Sequence, residues 1–450
     1  MLGTEYNWLI SSKQLPDGLP QTRLNGGGML TLAIAVFCFL CVALHAEPPH
    51  RVLLQEALAA SKAGNLALTI QKLEASRALR PDYPRVVLNL ARSYAAANQA
   101  DAAVAALRSL AAMGLAIAID RDPAFESLRS AAKFSALTTA FAANAKPRGS
   151  SDEMAWAITG MDGIIESVAT HPTTLESFFG DVRNRCIWYR DTSGPSAVMK
   201  QFSTEADGLL GVFALKFSAD GKTLWASSSA LPEMAGYTSA DKGRGFLAAY
   251  DLATRKLRQT YPLPGDDQSH VLGDFALAAD GAIYASDSIA PVIWRLAPDG
   301  TKLEKWLEHK DFASLQGVTF SADGRSLIVA DYASGLWRID VPTRGVTLLR
   351  PPGGSTLFGI DGLYAVPGGL VAVQSGIIPP RIIRIDLGAD GQPTQVHVLQ
   401  SGHATMSDLA LGQVFNGHFD FIGNSGWALY DDPKAAPAAR DVIILRTSVE

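Results

Sequence analysis

The sequence has few cysteines and no long run of basic residues, and both shortages restrict what the protein can be. It contains three cysteines in 450 residues, and two of them, Cys38 and Cys41, lie in an apolar N-terminal block. If that block is removed, Cys186 has no partner, so internal disulfides do not hold the fold together. The formal net charge is -5 with no basic cluster, which argues against a nucleic-acid partner.

The sequence also lacks the short motifs of several enzyme classes. It has no GxSxG, no P-loop and no HExxH, which removes support for a serine hydrolase, a P-loop nucleotide-binding protein and a zinc protease. No CxxCH for covalent haem attachment is present either. With 48% hydrophobic and 18% charged residues, 40 glycines and 24 prolines, the composition is that of a globular protein with many tight turns.

An uncharged apolar block, MLTLAIAVFCFLCVALHA, occupies residues 29–46 and ends in small residues before Glu47. It is short for a membrane span and predicts a signal peptide cleaved near Ala46. The protein would then be exported, periplasmic or secreted, with no stable membrane span after cleavage. An uncleaved anchor is the alternative. Residues 1–28 form a polar leader. Translation could start at Met1 or at Met29, because Met29 is a second candidate initiator.

Residues 50–146 are rich in Ala and Leu with helical periodicity. Gly64 and Leu73 recur 34 residues later as Asn98 and Leu107. Gly and Asn both tolerate the left-handed backbone that a helix–helix turn requires, and the leucines would fill the seam between helices. This spacing resembles the tetratricopeptide repeat in two copies. The resemblance implies a surface that docks a protein partner, and the alternative is a packing appendage.

After a linker at 147–153, residues 154–450 consist of short alternating strands separated by turns such as ADG and PGG. The segments IIESVAT, VFALKFS, GDFALAA, LQGVTFS, GIDGLYA and LALGQVF align as the first strands of six copies. Six copies of about 48 residues predict a mainly β fold, a six-bladed β-propeller preceded by the α-helical tetratricopeptide-like domain. The strand MAWAI at 154–158 is predicted to close the ring as the outer strand of the last blade.

The innermost strands of a propeller line its central channel, so the residues that begin them form a ring around one mouth. Glu166, Gln316 and Asp361 place three oxygen donors on this ring, and Asp274 adds another carboxylate. Convergent carboxylates repel one another unless a cation or a shared proton offsets their charge, and Ca²⁺ suits such oxygen ligands. Asp361 and Asp274 are the candidate catalytic residues. A bound metal with a neighbouring carboxylate as the base suits ester or lactone hydrolysis. The complete predicted ring is Glu166, Phe213, Asp274, Gln316, Asp361 and, approximately, Leu411.

The stretches IIESVA, VLGDFALAADGAIYASDS, LQGVTFSADGRSLIVADY and GIDGLYAVPGGLVAVQSG resemble the senescence-marker protein/gluconolactonase family of six-bladed propellers over residues 160–450. The resemblance implies an axial divalent metal held by Glu166 and Asp361, with Asp361 also serving as the base. Gln316 stands where the family has Asn, which keeps the oxygen donor but is one methylene longer. Because of this longer side chain, Zn²⁺, Mn²⁺ and Mg²⁺ are alternatives to Ca²⁺ as the bound metal. The family's Arg-x-Asn before the third-blade Asp is replaced by 271–273, Val-Leu-Gly, which argues against a sugar lactone.

Two further residues are candidate substrate contacts. His270 lies four residues before Asp274 and could reach the channel mouth, although a loop histidine can also simply be solvated. Gln374 ends a second strand, where ordinary strand-end hydrogen bonding is the alternative. Three aspartates occupy the same column as Gln374 and are predicted to hold the turn of each blade: Asp181, Asp287 and Asp331.

Two functions from different classes follow from these observations. The first is a metal-dependent hydrolase of small-molecule lactones or esters, with Glu166, Gln316 and Asp361 on the cation. The second is a non-catalytic exported scaffold, in which the axial metal is structural and the helical repeats bind a protein partner. The intact Glu166/Asp361 pair favours the hydrolase. The missing Arg-x-Asn and the attached helical domain favour the scaffold.

Overall fold

The computed structural model describes residues 48–149, 154–191, 198–266, 268–430 and 439–449. The predicted leader and signal peptide, residues 1–46, lie outside the described residues. No helix within these ranges combines the length and apolar character that crossing a membrane would take. The described chain consists of an N-terminal helical region followed by six β-sheets arranged as a propeller.

The helical region contains two helical pairs that repeat at the predicted offset of 34 residues. Gly64 and Asn98 connect the members of each pair with left-handed φ angles of 73° and 58°. Leu73 and Leu107 are fully buried in the seams, as the repeat predicted. Membership of the tetratricopeptide family stays a prediction. The helices are α1 (Pro49–Lys62), α2 (Leu66–Leu79), α3 (Pro84–Ala96), α4 (Ala100–Ala112) and α5 (Ala132–Asn144), with a 3₁₀ helix at Pro123–Leu128 before α5.

The first three blades are four-stranded antiparallel sheets in which each strand pairs with the next along the chain. Blade 1 is β2 (Ile165–Thr170), β3 (Ser177–Asp181), β4 (Cys186–Asp191) and β5 (Val198–Gln201). Blade 2 is β6 (Gly211–Phe217), β7 (Thr223–Ser229), β8 (Gly245–Asp251) and β9 (Lys256–Pro262). Blade 3 is β10 (Leu272–Leu277), β11 (Ile283–Asp287), β12 (Val292–Leu296) and β13 (Glu304–Glu308).

The last three blades follow the same pattern, except that the sixth takes its outer strand from the start of the propeller. Blade 4 is β14 (Leu315–Phe320), β15 (Ser326–Asp331), β16 (Gly335–Asp340) and β17 (Val346–Leu349). Blade 5 is β18 (Ile360–Val366), β19 (Gly369–Gln374), β20 (Arg381–Leu387) and β21 (Pro393–Ser401). Blade 6 is β22 (Gly412–Phe415), β23 (His418–Ile422), β24 (Arg440–Ser448) and β1 (Met154–Met161).

Ring closure occurs through the pairing of β1 with β24, which confirms the predicted role of the first propeller strand. The two strands are antiparallel, with Ala157 opposite Ile443 and Ile158 opposite Val442. Because β1 covers the edge of β24, the chain ends of the propeller are joined by main-chain hydrogen bonds. The six-bladed β-propeller predicted from the repeat is therefore the observed fold.

The aspartates at the ends of the second strands hold the turns of their blades, as predicted. Asp287 accepts hydrogen bonds from the main-chain amides of Val271, Ile289 and Ala290. Asp331 accepts equivalent bonds from the amides of residues 313, 314 and 333. Each of these two carboxylates therefore fastens the loop that leads into its blade to the turn between the second and third strands. This fastening orders the loops at one end of the channel.

Candidate functional site

A cavity of about 210 Å³ lies at the end of the channel where the inner strands begin. Its walls come from the starts of inner strands and from the turns that follow the second strands. All six residues predicted to form the ring line it, so the predicted position of the ring is confirmed. They are Glu166 (β2), Phe213 (β6), Asp274 (β10), Gln316 (β14), Asp361 (β18) and Leu411, which immediately precedes β22.

A glycine lets two inner strands meet beside the carboxylates. A Cβ atom placed on Gly317 would lie 2.4 Å from the main-chain nitrogen of Leu363 and 2.8 Å from the main-chain oxygen of Asp361. Any other residue would push β14 away from β18 at this point. Gly317 therefore brings Gln316 on blade 4 close to Asp361 on blade 5.

Glu166 is almost completely buried, with 7% of its surface exposed. Its carboxylate accepts a hydrogen bond from the indole Nε1 of Trp427. Burial raises the pKa of Glu166 well above its usual range, and the neighbouring Asp361 and Asp408 charges raise it further, while the Trp427 bond offsets part of the increase. Glu166 therefore holds a proton more readily than an ordinary glutamate unless a cation enters the cavity.

Asp361 keeps some exposure to the cavity but is otherwise enclosed by protein. Burial raises the pKa of Asp361 to about 7, and the charges of Asp408 and Asp274 act in the same direction. The Ser375 hydroxyl lies 3.5 Å from its Oδ2, and this hydrogen bond lowers the pKa by more than either neighbouring charge raises it. No lysine, arginine or histidine is among the described residues that line the cavity. The negative charge at Asp361 is therefore not compensated from within the cavity wall.

Asp408 is a fourth acidic residue of the cavity, and sequence analysis missed it. It lies in the segment before β22, three residues ahead of the column in which Leu411 was identified. Its Oδ2 accepts hydrogen bonds from the amides of Gly426 and Trp427, at 2.9 and 2.7 Å. Asp408 thus fixes the segment that carries the indole bound to Glu166. A signal was available, because Asp408 is the one acidic residue between positions 401 and 417.

Asp274 lines the cavity but has a different environment from Asp361. Its Oδ1 lies 2.8 Å from Nζ of Lys216, which reaches across from blade 2. The carboxylate also accepts hydrogen bonds from the amides of Phe275 and Val318, the latter on blade 4. Asp274 is therefore occupied in joining three blades, and its catalytic role stays a prediction.

Gln316 is held in a fixed orientation by two serines. Its Oε1 accepts a hydrogen bond from Ser288 at 3.0 Å, and its Nε2 donates to Ser314 at 3.1 Å. An amide oxygen has two lone pairs, so one acceptor position of Oε1 remains. The donor set of Glu166, Asp361 and Gln316 fits a hard divalent cation in kind, because all three offer oxygen.

The same donor set limits what kind of metal site this can be. Within the described ranges, no group of three His, Cys, Asp or Glu side chains is arranged to hold a metal ion. A cation at this position would therefore need the amide oxygen of Gln316 together with the two carboxylates, and water for the rest of its coordination shell.

The structure does not bring His270 to the cavity, and the predicted substrate contact is corrected accordingly. His270 is 2% exposed, with Nδ1 2.6 Å from Asp287 and Nε2 3.0 Å from Asp266. Burial alone would lower the pKa of His270, but these two carboxylates outweigh it and raise the pKa above its usual value. The histidine fastens the loop before β10 to blade 3. Its partners lie on both sides of it in the sequence, where spacing alone could not identify them.

Gln374 does not line the cavity either. It is fully buried, its Nε2 donates to the main-chain oxygens of Thr356 and Phe358, and its Oε1 accepts a bond from Arg381. Strand-end hydrogen bonding, the alternative considered for this residue, is what the structure shows. Gln374 thus supports the loop that leads into β18 and Asp361.

The cavity has two chemically different walls. Acidic and polar side chains cover the side formed by blades 3, 4 and 5. Apolar side chains from blades 2, 3 and 6 cover much of the opposite side, where the carboxylate of Asp408 also faces the cavity. The polar wall contains Asp274, Ser288, Gln316, Tyr332, Asp361 and Ser375. The apolar wall contains Phe213, Val271, Leu409, Leu411 and Trp427, with Glu166 at the boundary.

Comparisons with known proteins do not assign the chain to a family. No protein-family model and no curated protein matches the sequence. Among solved structures, it is similar to virginiamycin B lyase from Staphylococcus aureus, with 12% identity, a TM-score of 0.43, and coverage of 65% of this chain and 99% of that chain. It is also similar to a PQQ-bound aldose sugar dehydrogenase from Streptomyces coelicolor, with 12% identity, a TM-score of 0.44, and coverage of 67% and 99%. At these values the similarities carry no information on substrate or mechanism, and the senescence-marker protein/gluconolactonase resemblance stays a prediction.

Proposed function

We propose that the cavity binds a divalent cation and hydrolyses a small ester or lactone. The observation that carries this proposal is the pair of carboxylates, Glu166 and Asp361, that face one cavity whose described lining contains no cationic side chain. Like charges in a poorly solvated site raise the free energy of the ionised state, and a bound cation removes that penalty. Ca²⁺ suits these oxygen donors best, with Mg²⁺, Mn²⁺ and Zn²⁺ as the alternatives.

Glu166, Asp361 and the Oε1 atom of Gln316 would hold the cation. When bound there, the cation would supply Lewis acidity for the carbonyl oxygen of the substrate. The chain's own residues would provide the remaining functions. Asp361 would also accept the proton of the attacking water, because its carboxylate faces the cavity in which the substrate carbonyl would lie. We assign this step to Asp361 rather than Asp274, because Lys216 already binds Asp274.

The two walls favour a neutral substrate with an apolar part. The acyl or ring carbons would pack against Phe213, Leu409 and Trp427, while the reacting carbonyl would face Asp361. An anionic substrate would be repelled, since the described lining offers carboxylates and no positive charge. Val271 and Gly273 line the cavity where the gluconolactonase family has its Arg-x-Asn, which is a further reason not to expect a sugar lactone.

Terbium luminescence tests the cation site directly. Tb³⁺ replaces Ca²⁺ in oxygen-rich sites, and the indole of Trp427 beside Glu166 would sensitise its emission. We expect saturable emission from the wild type that Ca²⁺ suppresses, and at least tenfold weaker binding in Glu166→Gln and Asp361→Asn. Glu304→Gln, on the exposed surface of β13, is the matched control and should bind as the wild type does. Trp427→Phe should lose emission while retaining Tb³⁺.

Hydrolysis is measured next with neutral p-nitrophenyl esters and five- and six-membered lactones. We expect Ca²⁺-dependent turnover in the wild type and at least a hundredfold lower kcat in Asp361→Asn. A wild type that binds no Tb³⁺ would reject the cation site. Cation binding without turnover on this panel would favour the exported scaffold with a structural metal, whose helical repeats would then be tested for a protein partner. Turnover that survives in Asp361→Asn would reject the assigned base.

A further inference from the structure

The helical region contacts the propeller at the same end as the cavity, on the loops of blades 4 and 5. Three segments that carry cavity residues meet the helices there. The turn after β15 carries Tyr332, the loop before β18 leads to Asp361, and the turn after β19 carries Ser375. These contacts are specific hydrogen bonds and ring stacking between buried groups.

Arg80, in the connection between α2 and α3, makes the first contact. It is 4% exposed, and its Nε and Nη2 bind the two oxygens of Asp82 at 3.0 and 2.9 Å. The remaining nitrogen, Nη1, donates to the main-chain oxygen of Ser334 at 2.6 Å. Since Asp82 already neutralises the guanidinium, the bond to Ser334 acts through its direction rather than through net charge. Only the planar fork of arginine can make all three bonds at once.

Phe358 is enclosed between the two parts of the molecule. It is 1% exposed, its ring stacks on Tyr83 with centroids 4.3 Å apart, and the Arg80 guanidinium lies 4.5 Å from its centroid. Phe358 precedes Asp361 by three residues. The helical region therefore contacts the end of the loop that enters β18.

Arg381, at the start of β20, makes the reciprocal contact from the propeller to the helices. It is 3% exposed, and its Nη1 donates to the main-chain oxygen of Met113 at 3.1 Å. Its Nε donates to Oε1 of Gln374 at 2.7 Å, and Gln374 in turn donates to the main-chain oxygen of Phe358. Among the described residues, no carboxylate forms an ion pair with Arg381. A Cβ on Gly114 would lie 2.7 Å from Nη1, so the helical region leaves space for this arginine.

The three cavity segments are also bound to each other. The amide of Gly359 donates to the main-chain oxygen of Tyr332 at 2.9 Å, and the amide of Gly376 donates to the oxygen of Gly359 at 3.0 Å. The ring of Tyr332 lies against Gly376, where a Cβ would come within 2.5 Å of its Cζ. A shift of Phe358 would therefore move Tyr332, Asp361 and Ser375 together.

We propose that the helical region is a positioning element of the cavity, and that Arg80 and Arg381 are the two positioning residues that transmit its placement to Asp361. The inference rests on the proposed function in one respect, namely that the cavity binds the cation. It gives the helical region a role in the site itself, beyond or instead of docking a partner. Neither arginine touches the cavity, so both act through Phe358 and the segments bound to it.

The test uses the full chain with Arg80→Lys and Arg381→Lys, which keep the charge and remove the fork. Arg92→Lys is the matched control, because Arg92 pairs with Asp122 inside the helical region. We expect Tb³⁺ affinity to fall at least threefold in the first two variants, with a changed pH dependence of binding, and to stay unchanged in the control. A purely structural role would lower the melting temperature without altering the affinity or its pH dependence.

Hydrogen exchange separates failure of this inference from failure of the proposed function. Without any cation, the amides of residues 359–361 and 374–376 should exchange at least fivefold faster in Arg80→Lys and Arg381→Lys than in Arg92→Lys. This result would support the positioning role even if the wild type binds no Tb³⁺, which would overturn only the cation site. Wild-type exchange at these amides in both variants would overturn the positioning role, as would wild-type Tb³⁺ affinity and pH dependence.

Discussion

Two sides of one ring of acids differ in how their charge is balanced. On the side of blades 2 and 3, Lys216 binds Asp274, and His270 lies between Asp266 and Asp287. On the side of blades 5, 6 and 1, three carboxylates face the cavity with no basic side chain in its described lining, namely Asp361, Asp408 and Glu166. On the first side, Asp274 and Asp287 are each bonded to a basic side chain, whereas none of the three acids on the second side forms an ion pair among the described residues.

The contrast shows what the repeat determines and what it leaves to individual residues. Asp274 and Asp361 both lie near the start of an inner strand, so the repeat gives them the same location. Their neighbours differ, because Lys216 of blade 2 forms an ion pair with Asp274, while among the described residues the side chain of Asp361 has only the hydroxyl of Ser375 within hydrogen-bond distance. Compensated acids hold blades together, and uncompensated acids are the ones available for a ligand.

Removing the lysine that neutralises Asp274 should destabilise the folded protein more than any other substitution proposed here. Lys216→Met leaves Asp274 buried without its cation, and we expect the free energy of unfolding to fall by about 3 kcal/mol. Chemical denaturation at pH 7 measures this. Lys305→Met, which breaks an exposed pair with Glu308, should change stability by less than about 1 kcal/mol. An equal loss in both variants would show that Asp274 is not the compensated acid described above.

Removing an uncompensated acid should have the opposite effect. The raised pKa of Asp361 means that the folded protein binds a proton which the unfolded chain releases between about pH 4 and pH 7. Stability contributed by that proton is present at low pH and lost as the pH rises through this window. Asp361→Asn should therefore be more stable than the wild type at pH 8 by up to about 4 kcal/mol, in EDTA, and equal to it near pH 4.

Urea denaturation across pH 4–8 measures the difference in stability between Asp361→Asn and the wild type. Adding Ca²⁺ gives a second comparison. Cation binding should stabilise the wild type at pH 8 and leave Asp361→Asn nearly unchanged. Asp361→Asn that is less stable than the wild type at pH 8 without a cation would contradict the uncompensated state of this side.

The sequence was sufficient to predict the ring and its closure. The spacing of turns after a fixed column determines which residue begins each inner strand, and Glu166, Asp274 and Asp361 follow from that register. The pairing of β1 with β24 follows from the need to cover an edge. Local pattern and global fold agree here, so the prediction needed no tertiary information.

The residues that balance or add to the charge of the ring acids could not be predicted from the sequence. Asp408 lies outside the repeating column, and Lys216 contacts Asp274 from the neighbouring blade, at a distance in sequence that no motif specifies. His270 was misassigned because a loop histidine near a channel residue looks like a ligand contact until its two carboxylate partners are visible. The contact of Arg80 with Ser334 joins residues 254 positions apart.

His50, a buried histidine in the helical region, shows the opposite pH dependence of stability from Asp361. His50 is 6% exposed, and its Nε2 has no hydrogen-bond partner among the described residues. Burial, with Arg80 and Arg51 nearby, lowers the pKa of His50 to about 4, and Asp82 and Asp311 oppose this only in part. The unfolded chain therefore binds the proton first, and stability is lost as the pH falls from about 6.5 toward 4.

The loss at His50 should reach about 1 kcal/mol at pH 5.5 relative to pH 7.5. His50→Gln removes the titration, so its stability should vary less over this interval than that of the wild type. Thermal unfolding at both pH values measures the difference, with His418→Gln, an exposed histidine on β23, as the control. Identical pH dependence in wild type and His50→Gln would show that His50 is not buried in its neutral form.

The smallest effect concerns the charge that Asp408 contributes to the uncompensated side. Asp408→Asn keeps an oxygen that can accept the bonds from Gly426 and Trp427, so the wall should stay in place while one negative charge is lost. Because Asp408 raises the pKa of both Glu166 and Asp361, the substitution should lower the pKa of Asp361 by about 0.5. Titration of the side-chain carboxyl carbons by NMR measures this, and Asp390→Asn, in an exposed turn of blade 5, should cause no change. A pKa of Asp361 unaffected by Asp408→Asn would mean that the charge of Asp408 does not act on Asp361, and that the acids of this side do not act on a ligand as one group.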